Sequence, residues 1–253
     1  MRLSDARTVQ AGQESATGDL LQSTVVAMRR KEYNTTGERS ASVKSRMVLV
    51  MAAVFLVLPM LSWAGSFYAN ITLIGTDPAS VTEALQDMGL TAVVVLGKEN
   101  AAVVCEKTMD SQDDVYGRNL TRKLSKSLEC VAVYVLNHDS DELLVTTYAY
   151  GEKEFDYDSS PGYFTGVDKP PAIHGMEKID DLFPGADSTK LRAALESEYV
   201  SADDRHVEIG NLLSLPYNVP GLGYRHLMDK KFRSDLERQF GLKFVEVDQA
   251  PAS

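Results

Sequence analysis

The chain has 253 residues, with 26 Lys+Arg against 36 Asp+Glu for a formal charge of −10, and two cysteines. That acidity repels phosphate backbones, so nucleic-acid binding is not expected. Two cysteines without a CxxC pair or a Cys/His cluster leave no metal-ligand spacing, which argues against a structural zinc site.

Residues 1–46 are polar, rich in Ser, Thr, Arg and Gly, and without sustained periodicity; they read as a disordered basic leader. Residues 47–64, MVLVMAAVFLVLPMLSWA, follow as an apolar run. It is longer than a typical signal-peptide core and shorter than a typical spanning helix. Ser62-Trp63-Ala64 offers small residues at the positions a signal peptidase reads, and Pro59 ends the helix ahead of them. The flank carries Arg29, Arg30, Lys31, Arg39, Lys44 and Arg46 against Glu32 and Glu38, a bias that keeps the N-terminal side in the cytoplasm. Three readings stand: a cleaved signal peptide, an uncleaved anchor with its N-terminus inside, or a start placed too far upstream of a cytoplasmic domain. The first two make the protein periplasmic, secreted or membrane-anchored.

The leader through Ala64 holds 8 of the 26 basic and 5 of the 36 acidic residues, so the remaining 189 carry 18 and 31, a formal −13. Solubility, a basic protein partner or a small cationic ligand each suit such a surface. That length suffices for one core, expected over residues 66–243, with 244–253 as a flexible tail.

SFYANITLIG, residues 66–75, has strand composition. Asp77 then caps a helix over 78–88 with Pro78 at its first position, Val81, Leu85 and Met88 on one face and Gly89 at its end. Two β-rich runs, 92–96 and 101–106, form a hairpin around Gly-Lys-Glu-Asn. A helix over 113–128 is expected to turn Val115, Leu120, Leu124 and Leu128 inward and its Lys and Arg residues outward. Strands at 131–136, 143–150 and 154–158 make a meander. The order β-α-β-β-α-β plus two strands predicts an α+β fold, an antiparallel sheet with a ferredoxin-like start and two helices on one face. Residues 159–184 read as loop. Helices are expected over 188–199, 202–213 and 229–240, and residues 215–224 hold too much Pro and Gly for an element.

The stretch LNHDSDELLVTTYAYGEKEFDYDSSPGYF, with the opening SFYANITLIG and the later RHVEIGNLLSLP, resembles a family of small uncharacterised bacterial proteins. The likeness spans about residues 66–224 and implies a domain beginning near Ser66. It implies no activity and assigns no residue a role.

Candidate site residues come from this same stretch. Asn137-His138-Asp139 ends a strand, where a His–Asp pair suits base and orienter, or where Asn, Asp and Ser form turn hydrogen bonds. Asp158 lies on the neighbouring strand. Tyr163 and Phe164 follow the tight turn Ser160-Pro161-Gly162, as a lid on the core or a partner-binding patch. No GxSxG and no Cys beside a His marks a nucleophile, and Gly221-Leu222-Gly223 lacks the third glycine of a nucleotide fingerprint, so no cofactor is expected. The reading leans to a non-catalytic binding module, with an enzyme around His138, Asp139 and Asp158 as the alternative. A Cys105–Cys130 disulfide is permissible if the domain is exported, and a homodimer through sheet edges is a further option.

Overall fold

The computed structural model describes residues 66–96, 100–216 and 218–248. The basic leader and the apolar run 47–64 lie outside them, as does the end of the chain from 249. Among the described residues, no helix is long and apolar enough to cross a membrane.

The elements run β1 (Tyr68–Ile74), α1 (Pro78–Asp87), β2 (Ala92–Leu96), β3 (Ala101–Glu106), α2 (Asp114–Ser127), β4 (Val131–His138), β5 (Glu142–Ala149), β6 (Glu152–Asp158), β7 (Ala172–His174), α3 (Ile179–Leu182), α4 (Ser188–Glu196), α5 (Ala202–Leu212), α6 (Tyr224–Met228), α7 (Lys230–Phe240) and β8 (Lys243–Val247). The fold is α+β. One sheet of eight strands, in the order β7-β6-β5-β4-β1-β3-β2-β8, pairs antiparallel throughout. Within it the opening β-α-β-β-α-β segment places β1 between β3 and β4.

Helix starts follow the local chemistry. Asp77 Oδ1 accepts the Ala79 and Ser80 amides at 3.0 Å each, with Pro78 pre-set behind it. Asp113, Asp187 and Asp229 cap α2, α4 and α7 in the same way.

Both faces of the sheet are covered. One buries Ile71, Leu73, Val94 and Val104 under Val81 and Leu85 of α1 and Leu120 and Leu124 of α2. The opposite face carries two clusters: Val133, Val135, Val145 and Phe155 under α3, α4 and α5, and Val93, Val95, Val103 and Cys105 under α6 and α7. This explains the nearly unbroken apolar runs AVVVL and AAVVCE, since a strand covered on both sides has no wet face to alternate with. Gly117 lets α2 lie close on the sheet: a Cβ there would fall 2.4 Å from the Tyr134 ring.

Four expectations need correcting. Val115, expected on the inward face of α2, is exposed in its first turn. Lys243–Val247 pairs with β2 from Ala92↔Val247 to Leu96↔Lys243, so the flexible tail does not begin at 244. The strand closes the edge beside β2, sending Phe244 to one face of the sheet and Val245 and Val247 to the other. The 159–184 segment carries a short edge strand, β7, as well as α3, both too short to show periodicity. Finally, Cys105 and Cys130 are free and buried in clusters on opposite faces of the sheet, so the disulfide does not form.

Candidate binding site

The site grows from the β4–β5 turn. Asp139 and Ser140 both stand at positive φ, 57° and 58°, and the Asp141 amide closes the turn on the His138 carbonyl at 3.1 Å. Asp tolerates the left-handed region; Ser140 is held there by its contacts. Its amide donates to Asn137 Oδ1 at 3.1 Å, its hydroxyl donates to Asp203 at 2.8 Å, and its carbonyl accepts the Ala202 amide at 2.7 Å. The turn is thereby fastened to the start of α5.

Asn137 faces α5 and is fully buried. Its amide donates to Asp203 at 3.1 Å and to the Tyr68 hydroxyl at 3.3 Å, and that hydroxyl lies 2.8 Å from Nδ1 of His206. Burial pulls His206 down to about 4, with Asp203 opposing, and pushes the Tyr68 hydroxyl well up. Asn137 therefore holds the fold together and is out of reach of a ligand. The turn reading describes it, and it leaves the site.

His138, the next residue, faces the other way. Phe67, Tyr163 and Phe164 surround its ring at centroid distances of 5.0, 5.6 and 5.0 Å, all edge-on. Tyr163 and Phe164 meet edge-on as well, at 5.2 Å. Phe164 is 73% exposed and Phe67 43%, so these rings form a surface patch. Gly162 makes the loop that presents them: the Thr165 and Val167 amides return to its carbonyl, and a Cβ there would sit 1.6 Å from the Val167 carbonyl oxygen.

Beside the rings lies a row of carboxylates on the same face. Register sets Glu142 opposite His138 and Asp158 opposite Leu144, two residues along β5, so His138, Glu142 and Asp158 project together. Burial, then Asp158 and Asp114, pushes Glu142 up to about 7. Glu142 is 3% exposed, and its Oε2 has no hydrogen-bond partner. Asp158 accepts the Ser160 amide at 2.9 Å, yet burial raises it too. Desolvation, then Asp141, Asp139 and Glu142, raises the Tyr163 hydroxyl.

Farther along β6 the charge is compensated. Arg118 bridges Asp114 and Asp156, and Asp156 also accepts the Thr146 hydroxyl at 2.8 Å. Against the push of burial, Thr146 and Arg118 hold Asp156 below the usual carboxylate range. No ion pair among the described residues joins Glu142 to a cation. Among the described residues, no group of three or more His, Cys, Asp or Glu is arranged to hold a metal ion.

Five of the six residues singled out in the sequence thus gather at one end of the sheet: His138, Asp158, Tyr163 and Phe164 in the patch, and Asp139 in the turn at its rim. His138 does not form a base–orienter pair, since its buried Nδ1 has no hydrogen-bond partner. Glu142 was not among the six, and Phe67 was missed. Counting the hairpin register back from the turn would have placed Glu142 opposite His138; nothing local marks Phe67, which joins through the β1–β4 pairing. Comparison with protein-family models, with curated proteins and with solved structures finds no match for this chain.

Proposed function

We propose that this domain is a non-catalytic binding module that takes up a cationic group, an ammonium or guanidinium borne by a small molecule or a protein partner, at the patch around His138. Glu142 carries the reading: a nearly buried carboxylate with one oxygen unpartnered, acted on by other carboxylates, beside a cluster of ring edges and faces. A cation there would relieve the repulsion between Glu142 and Asp158 and gain from Phe164, Tyr163 and Phe67. The absence of any Ser, Thr or Cys hydrogen-bonded to a histidine among the described residues supports binding over nucleophilic chemistry. The basic flank and apolar run at 47–64 support a place outside the cytoplasm or at the membrane.

The test is calorimetric titration with arginine methyl ester and tetramethylammonium at pH 6 and pH 8. Affinity should rise with pH as Glu142 ionises, and should fall about tenfold in Glu142→Gln and in Phe164→Ala. Binding indifferent to pH and to both substitutions would overturn the assignment. Mass spectrometry of the mature N-terminus with cell fractionation tests location separately: a soluble cytosolic chain lacking residues 47–64 would remove it.

A further inference from the structure

A second site lies on the same sheet face, lined by none of the patch residues. α1 rides over β2, β3 and β8, whereas α2 rides over β1, β4, β5 and β6. The two helices therefore stand apart, and a groove of about 770 Å³ opens between them. Its walls are Met88 and Leu90 from the end of α1 and the strand approach, and Tyr116 and Leu120 from α2. Lys123 and Lys126 continue the same α2 face, since positions 116, 120, 123 and 126 recur at helical spacing. Both lysines are exposed, and neither forms an ion pair among the described residues. The groove's size falls within the range of small-molecule sites, and its lining joins apolar side chains to two lysines and the polar Asn119 and Ser127, the make-up of an amphipathic site.

We propose that this groove binds an amphipathic monoanion, an unbranched acyl chain whose tail lies along Met88, Leu90, Tyr116 and Leu120 and whose carboxylate meets Lys123 and Lys126. Charge complementarity selects the anion: in the trough alone, a cationic or neutral chain of equal length would gain as much from burial but would lack the lysine contacts.

The experiment photolabels the full chain with a diazirine-bearing dodecanoate and maps the adducts by peptide mass spectrometry. Label should concentrate on the peptides bearing Met88–Leu90 and Tyr116–Leu120. Free dodecanoate should compete about tenfold better than dodecylammonium. Lys123→Glu with Lys126→Glu changes only exposed side chains, and should abolish the labelling while leaving the circular dichroism spectrum intact. Lys123→Arg with Lys126→Arg should retain it. Equal competition by the cationic chain, labelling unchanged by charge reversal, or adducts confined to residues 47–64 or scattered over the surface would each overturn the proposal.

Discussion

Asn137 and His138 are consecutive on β4 and serve opposite faces of the sheet: one is fully buried against Tyr68 and Asp203, and the other is ringed by Phe67, Tyr163 and Phe164. The alternation of a strand separates a structural residue from a site residue with no sequence between them.

Substitution should separate them too. Asn137→Ala leaves the Ser140 amide only the Ser66 carbonyl and removes a donor from both Tyr68 and Asp203, at a cost of about 2 kcal/mol in urea denaturation. His138→Ala should shift the urea midpoint much less and weaken cation binding at the patch. Equal loss of stability in the two variants would contradict this division.

His206 should make the protein acid-sensitive. Its pKa is about 4 in the fold against 6.5 as the ordinary value, so between these the unfolded chain binds more protons. Stability from keeping His206 neutral is complete above pH 6.5 and is lost as pH falls toward 4, by at most about 3 kcal/mol. Chemical denaturation at pH 7.5, 5.5 and 4.5 measures it: the fall should be markedly smaller in His206→Gln than in the unsubstituted protein.

Glu142 works in the opposite direction. Its folded pKa, about 7, lies above the ordinary 4.5, so the fold binds the extra proton between these values and stability declines as pH rises through that window. Glu142→Gln should therefore gain stability relative to the parent at pH 8, by about 1 kcal/mol, with the gain vanishing near pH 4.5. A variant less stable than the parent at pH 8 would show that the carboxylate is satisfied in the fold.

Both thiols should be silent in the native protein. Burial pushes Cys105 well up and Cys130 up to about 11, so neither supplies thiolate at neutral pH. Ellman's reagent should find no fast-reacting thiol in buffer and two in guanidinium, with or without prior reduction. A chain that yields two thiols only after reduction would show that a bridge forms.

Much of the architecture was written locally. Asp77-Pro78, Asp113, Asp187 and Asp229 start helices where their side chains cap amides, and the runs at 92–96, 101–106 and 131–138 pair as strands because β-rich segments joined by short turns have few alternatives. β7 was not legible because three residues carry no pattern, and β8 because Lys243 and Glu246 interrupt its apolar residues, whereas β2, of equal length, is an unbroken apolar run. Cys105 and Cys130 read alike in sequence, each beside an apolar strand, and only the sheet between them kept them apart.

The sequence by itself determined the α+β class, the helix boundaries set by caps, and the stretch 137–164 that supplies most of the patch, since these depend on side chains acting on neighbouring backbone. Tertiary structure decided which residues meet. The β4–β5 register put Glu142 against His138, the β1–β4 pairing brought in Phe67, and the packing of α1 and α2 over different strands left the groove between them. Such relations join positions up to some seventy residues apart, and the chain's local preferences carry no trace of them.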